Sequence, residues 1–328
     1  MGVDRTVTRQ ILRRLAMLVP TVWLVATLTF VVVQAVPGSY ADAIDHPRMT
    51  PAMRDAVRTR WGLDRPVHEQ YALWLRAIAT GDLGTSYVTR RPVSETLARA
   101  LPPTLLLAGT ALALDLLLGV LLAVAAARRP YGRVDRLLTV LGLGLYGLPS
   151  FWVAGLAVLV FAVGLGWFPA SHMYSIGADR LAAGHRFVDL LHHLVLPACC
   201  LGVVGAAGTA RYLRASLLDL RDARFVTGLR ARGIPERRIT WLHTLRPALA
   251  PVVTLLGLSL PVLVGGSVVI ESIFSWPGMG NVLLTAAQAR DVPVIMAITV
   301  LGATAVVVGN LVADVAYAIV DPRAREAE

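Results

Sequence analysis

Residues 211–247 read RYLRASLLDLRDARFVTGLRARGIPERRITWLHTLRP. The stretch is helix-prone and basic, with nine arginines against three acids, Asp219, Asp222 and Glu236. It lies between apolar runs at about 190–210 and 247–270, each long enough for a bilayer core that needs about 20 apolar residues per helix. Gly233 and Pro235 interrupt its helical pattern, and Pro235-Glu236 suits the first turn of a new helix. An ordinary solvated loop is the plain alternative. Two helices meeting at a sharp turn, with apolar Phe225, Val226, Leu229 and Ile234 exposed on a cationic element, instead point to a docking knob for another protein.

The rest of the chain is membrane-like. Hydrophobic residues make up 56 % of the 328, and mean hydropathy is +0.64, too apolar for an ordinary soluble domain. Six runs reach spanning length, about 11–36, 102–127, 137–168, 190–210, 247–270 and 292–320. The expected fold is therefore all-α and polytopic, with six transmembrane helices. The 137–168 run is longer than a bilayer requires and must tilt or kink, with Pro149 the expected site. Pro102-Pro103 mark the expected start of the second helix and Pro197 the opening of the fourth. In the long loop 37–101, Thr50-Pro51 reads as an N-cap with proline at the first helical position. A second helical pattern follows over Val67–Ala79.

The net charge of +10 is a matter of topology. All 31 basic residues are arginine. Nineteen fall in the N-terminus, the 128–136 loop, the 211–246 insert and the tail, whereas the 164–191 and 271–292 connections carry three together. The loop 37–101 holds the other nine, but a loop of that length crosses largely regardless of charge. The positive-inside rule puts both termini in the cytoplasm, and nucleic acid is not an expected partner. The first apolar run exceeds a signal-peptide core and lacks a convincing cleavage site, so it reads as a retained helix.

Several motifs carry less than they promise. Gly142, Gly144 and Gly147 match a dinucleotide pattern but lie within an apolar helix, without the strand–turn–helix context. With no lysine in the chain, a nucleotide-binding P-loop is excluded. Cys199-Cys200, buried neighbours, and the adjacent His192-His193 give no metal site. Asp115 and Asp314 are carboxylates within apolar runs, where a functional role is the default. Asn310, Asp314 and Tyr317 share one helical face, so a proton relay and a structural pairing both stand.

Arg13-Arg14 with Pro20-Thr21 and Val36-Pro37-Gly38, then Trp61-Gly-Leu-Asp-Arg-Pro66 and Gly81-Asp-Leu-Gly-Thr-Ser86, are followed by Arg214-Ala-Ser216, Arg230-Ala-Arg-Gly233 and Arg246-Pro247. Glu271-Ser-Ile-Phe-Ser-Trp-Pro-Gly-Met-Gly280 and Asp321-Pro322-Arg323 complete the series. In this order the chain resembles permease subunits of type I ATP-binding-cassette importers, in the dipeptide/oligopeptide/nickel branch. The resemblance implies three parts. Residues 1–97 would be a first helix plus an extracytoplasmic helical loop. Residues 98–321 would be a five-helix core with coupling helices at about 219–240, and 322–328 a cytoplasmic tail.

The resemblance further implies a multi-pass, non-enzymatic subunit of a bacterial inner membrane that forms half of a di- or oligopeptide pathway. Its partners would be a second homologous permease, two cytoplasmic ATPases that use the ATP, an extracytoplasmic solute-binding protein and lipid. No cofactor is expected on this subunit. Phe225, Arg230, Arg232, Gly233 and Pro235 would couple to the ATPase, and Trp276, Pro277 and Gly278 would shape the outer mouth. The Glu-Ala-Ala element of such permeases is degenerate here, with Thr227, Gly228 and Leu229 at its positions. Nickel import within the family, and a proton-coupled secondary transporter using Asp115 and Asp314, are the alternatives.

Overall fold

Apolar runs become helices because hydrocarbon offers no partner to a backbone N–H or C=O, so each must be satisfied within the segment. The computed structural model describes residues 5–35, 51–60, 62, 64–249, 252 and 267–320. Among them the regular structure is helical, apart from one isolated bridge between Thr85 and Pro92. After α1 (Arg5–Ala35), the long loop carries α2 (Pro51–Arg60) and α3 (Val67–Ala79), where the sequence predicts helices, although Thr50, the expected cap of the first, lies outside the described residues. The aromatic face of α3 packs on α1: the Phe30 ring lies 5.2 Å from Tyr71 and 5.9 Å from Trp74, and the Tyr71 and Thr27 hydroxyls meet at 2.7 Å.

The two longest helices, α4 (Val93–Arg128) and α7 (Ala183–Asp219), run side by side in the same direction. Glycines make this approach possible. A Cβ on Gly202 would lie 2.7 Å from the Ala111 carbonyl, and one on Gly119 would lie 2.6 Å from the Thr209 side chain. At 1.5 Å per residue each helix is about 54 Å long, well beyond a hydrocarbon core of about 30 Å. Their ends must therefore stand outside the membrane, and there the polar machinery gathers.

Both helices start earlier than their prolines predict. Pro102-Pro103 and Pro197 lie inside α4 and α7. In α4, Pro92 caps the start, and Val93, Leu97 and Ala100 pack against Met279, Val294 and Ala297. Burial of that face outweighs the ladder bonds lost at the prolines. The 137–168 run breaks fully: α5 (Arg133–Gly147) stops before Leu148 and Pro149, both extended, and α6 (Ser150–Ala157) follows. A residue before proline is steered out of the helical region. A wider helical turn, Val158–Gly164, then ends the element.

Beyond α7 come α8 (Arg224–Ala231) and a return segment of helical turns, Glu236–Arg238, Ile239–Thr244 and Leu245–Ala248. The chain finishes with α9 (Met279–Gln288) and α10 (Val292–Val320). Among the described residues four helices are long and apolar enough to cross a membrane, Ala16–Ala35, Val93–Arg128, Ala183–Asp219 and Val292–Leu311, with Ser150–Gly164 a shorter apolar helix. Most of the 247–270 run, the Val36-Pro37-Gly38 turn and the Asp321-Pro322-Arg323 terminus lie outside the described residues.

Candidate functional site

At the C-terminal ends of α4 and α7 the chain forms an elbow. α8 is closed by a left-handed glycine: Gly233 has φ +73°. Its N–H donates to the Arg230 carbonyl, and the Ile234 N–H donates to the Leu229 carbonyl. This paired closure satisfies carbonyls a helix end would otherwise leave bare. Pro235 follows as the residue flanking the next helix, and its carbonyl accepts from Arg238 at 2.8 Å and Ile239 at 3.1 Å. The break expected at 233–235 is thus a sharp helix–turn–helix.

The apolar stripe divides into two faces. Val226 is 1 % exposed and turns inward with Ile239, so it is not part of a docking surface. Phe225 is 46 % exposed. Leu229 and Ile234 are half-buried, whereas Arg232, Thr227 and Gly228 face outward. Helical geometry explains the split, because neighbours lie about 100° apart around the axis. Behind the elbow is a cleft of about 450 Å³, lined by Arg128 of α4, Arg221 at the end of α7, and Val226, Arg230, Glu236 and Ile239. Arg230 spans it: its Nε donates to Glu236 Oε1 at 2.5 Å, and its Nη1 donates to the Arg221 carbonyl at 3.0 Å. Arg230 holds the Glu236 carboxyl below the usual carboxylate range.

One turn above the elbow, α7 is clamped to α5. Arg214 donates twice to Asp135, Nε to Oδ1 at 2.5 Å and Nη2 to Oδ2 at 2.6 Å. The Tyr131 N–H adds 2.7 Å to the same carboxylate. The Asp135 side chain is 3 % exposed and that of Arg214 23 %. Planar bidentate pairing is the geometry for which arginine is suited.

At the opposite ends of α4 and α7 lies a second hub. Glu271, fully buried, accepts from Thr104 Oγ1 at 2.8 Å, Ser267 Oγ at 3.0 Å, and the Gly280 and Asn281 N–H groups at 2.7 and 3.1 Å. Those two amides open α9, so the carboxylate caps its positive end. Trp276 is fully buried and its indole N–H donates to the Pro103 carbonyl at 2.9 Å. It packs with Leu107, Leu194, Ile270 and Phe274. Trp276 therefore does not line an open mouth; it supports the loop from behind. Gly278 is buried for want of space, since a Cβ there would lie 2.4 Å from Glu271 Oε2. Pro277 alone of the three is exposed, in a cleft of about 610 Å³ shared with Arg91, Arg99 and Asn281.

The Gly81–Ser86 motif ends in an anchor beside this hub. Asp291, 2 % exposed at the start of α10, accepts from Ser86 Oγ at 2.5 Å and the Tyr87 N–H at 3.0 Å. Burial, and secondly the Asp291 charge, push the Tyr87 hydroxyl up to about 12.

The intramembrane polar residues separate. Asp115 faces α7, where a Cβ on Gly205 would lie 2.7 Å from its Oδ2, and it sits beside the Thr209 side chain. Its Oδ1 has no hydrogen-bond partner among the described residues. Asn310 is half-buried in α10, whereas the side chains of Asp314 and Tyr317 lie outside the described residues. His192 reaches the Trp167 carbonyl and His193 the Asp189 carbonyl, pointing apart. Among the described residues no three metal-ligating side chains come together.

Four residues organise these sites without having been given a role in the sequence: Asp135, Arg214, Glu271 and Asp291. Arg214 and Glu271 lie within the motifs that carry the family resemblance. Nothing local marks what they bind.

Two family descriptions match the chain: "Binding-protein-dependent transport system inner membrane component" over residues 116–326, and the N-terminal part of such membrane components over residues 7–108. The chain is 40 % identical over 314 residues to the oligopeptide transport system permease protein AppB of Bacillus subtilis, covering 95 % of this chain and 98 % of that protein. It is 37 % identical over 315 residues to the glutathione transport system permease protein GsiC of Salmonella typhimurium, covering 96 % and 98 %. Against GsiC of Escherichia coli O6:H1 the identity is 35 % over 315 residues. With matches spanning both ends and a helical bundle of membrane-crossing length, the chain belongs to the binding-protein-dependent transport system inner membrane component family, and is a multi-pass permease subunit.

Proposed function

We propose that this permease forms half of the translocation pathway of an ATP-driven, binding-protein-dependent importer of di- or oligopeptides. A second homologous permease completes the pathway, a solute-binding protein delivers substrate at the α9 end, and two ATPases dock at the elbow. ATP is used by those partners, and no cofactor resides on this chain. Both termini are cytoplasmic in a bacterial inner membrane, which puts the elbow inside with the ATP. The peptide class is supported by the names of AppB and GsiC.

The observation that carries coupling is the elbow itself. It projects from the ends of α4 and α7 with Phe225 exposed and Arg232 outward, while Val226, Ile239, Gly233 and Arg230 fix its shape from within. A body that must turn ATPase closure into helix movement needs both a contact face and internal rigidity. Phe225 and Arg232 serve the first, and Gly233, Pro235 and Arg230 the second.

The test is co-purification of the ATPases with the wild-type permease, Phe225→Asp and Gly233→Pro, alongside uptake of a labelled dipeptide and of Ni²⁺. Both variants are expected to lose ATPase, and dipeptide uptake to stop when the ATPase loses its hydrolytic carboxylate. Retained ATPase in both variants would refute docking at the elbow. Uptake that survives an inactive ATPase would favour a proton-coupled carrier, and uptake of Ni²⁺ alone would move the substrate to the metal.

A further inference from the structure

We infer that Arg230 is a positioning residue which transmits force across the elbow rather than an ATPase contact. The inference rests on the assignment of residues 219–240 to the ATPase interface.

Three segments meet at the Arg230 side chain. α7 ends in a turn whose Arg221 carbonyl accepts Nη1 at 3.0 Å. α8 carries Arg230 itself, one turn before its left-handed closure at Gly233. The return segment offers Glu236, which accepts Nε at 2.5 Å. The guanidinium is planar and its donors point in fixed directions, so the two contacts together set an angle as well as a distance. A lysine has one nitrogen and cannot occupy both places with the same geometry.

The Ala223 N–H donates to the Leu220 carbonyl at 3.2 Å and joins α7 to α8 by a turn, but it does not reach the return segment. The Gly233 and Ile234 N–H bonds close the end of α8 locally and do not reach α7. Val226 and Ile239 are buried across the cleft, but apolar contact is non-directional and permits sliding. The cleft of about 450 Å³ behind the elbow leaves room for it to fold inward. Arg230 crosses that space and opposes this movement. The side chain is 35 % exposed, which suits a strut at the cleft mouth. Beyond Arg221 the load passes up α7 to Arg214, whose clamp on Asp135 carries it into α5.

A brace and a docking contact predict different failures. Removing a docking contact lowers ATPase affinity. Removing a brace leaves the outer face with Phe225 available and loses the coupling between ATP closure and the helices. Because Arg230 and Glu236 act as one unit, their effects should not add.

The experiment uses the assembled transporter in lipid nanodiscs, with Arg230→Met, Glu236→Gln, the double variant and Arg230→Lys. Retained ATPase, substrate-stimulated ATP turnover, and the distance between spin labels at Thr227→Cys and Asp219→Cys, with Cys199 and Cys200 replaced by alanine, are measured on each. Arg230→Met should hold the ATPase within about twofold of wild type while stimulated turnover falls about tenfold, the scale of coupling residues outside ligand contact. The label distance should broaden, the double variant should be no worse than Arg230→Met, and Arg230→Lys should recover only part. Loss of the ATPase with an unchanged label distance would make Arg230 a contact and overturn the brace. Unchanged turnover in Arg230→Met, or additive effects in the double variant, would also overturn it. Failure of Phe225→Asp to release the ATPase would instead remove the docking assignment on which the brace rests.

Discussion

Glu271 and Thr104 meet at 2.8 Å across 167 residues of chain, and the Thr104 hydroxyl accepts in turn from the Met279 N–H at 2.8 Å. One hydroxyl thus joins α4, the first residue of α9 and the carboxylate that caps α9. Thr104→Val removes both links and leaves a buried amide without an acceptor, at a cost of about 1–3 kcal/mol. Thr104→Ser keeps the hydroxyl and should lie near wild type. Glu271→Ala strands the Gly280 and Asn281 amides as well and should be the worst of the three. Thermal unfolding by circular dichroism in one detergent checks that order; a Thr104→Val as stable as Thr104→Ser would contradict it.

Glycine-to-alanine changes should differ in sign with position. At Gly280 a Cβ would lie 2.5 Å from the Val268 Cα, which is backbone and cannot yield cheaply. Gly280→Ala is expected to cost about 1–3 kcal/mol by overpacking. At Gly228, in the middle of α8, nothing among the described residues lies within 4 Å of an added Cβ. Gly228→Ala should therefore stabilise α8 by about 1 kcal/mol through helix propensity. Hydrogen exchange at the α8 amides is the readout, and faster exchange in Gly228→Ala would be the opposite of what is expected.

Much of this was legible because lipid makes strict demands. A run of apolar residues must close its own hydrogen bonds, so the helices follow from composition. The elbow was legible because Gly233 and Pro235 are backbone signals. What stayed hidden was tertiary. Val226 and Phe225 are equally apolar neighbours, and only the body of the helix bundle decides which is buried. Trp276 looks like an aromatic rim until the Pro103 carbonyl takes its N–H. Asp291 carries no local mark of what it binds, yet its carboxylate holds Ser86 and Tyr87, more than two hundred residues upstream. The prolines of α4 and α7 misled in the other direction, since proline discourages a helix interior and packing overrode it.

The loop anchor should fail on the alkaline side. The Tyr87 hydroxyl titrates at about 12 in the folded chain, above the ordinary tyrosine value of about 10. Its folded value is raised, so the stability it contributes is complete below about pH 10 and is lost as pH rises toward 12. Absorbance titration at 295 nm should show a late tyrosine component that vanishes in Tyr87→Phe and shifts to lower pH in Asp291→Asn. The downward shift follows because removing the nearby negative charge makes the phenolate easier to form. No change in the Asp291→Asn titration would mean that burial alone raises the value.

The Asp135–Arg214 clamp yields a prediction in which removing both partners does less harm than removing one. The Asp135 carboxylate is almost fully buried and its oxygens are taken up by Arg214 and the Tyr131 N–H. Asp135→Leu leaves a guanidinium against an apolar groove of about 240 Å³ lined by Leu138, Leu145, Ala207 and Ala210. Stranding a buried charge in this way costs about 3–5 kcal/mol, whereas replacing a whole buried pair by apolar residues is often neutral. The double variant Asp135→Leu/Arg214→Leu should recover most of the stability lost in the single variant, because both side chains would then extend that groove. Coupling should not recover with it. Contact between leucines is non-directional, so α7 can slip against α5 where the bidentate pair fixed their register. Thermal unfolding and substrate-stimulated ATP turnover of the assembled transporter, measured on the same preparations, separate the two effects. Turnover restored in parallel with stability would show that the clamp contributes only to folding.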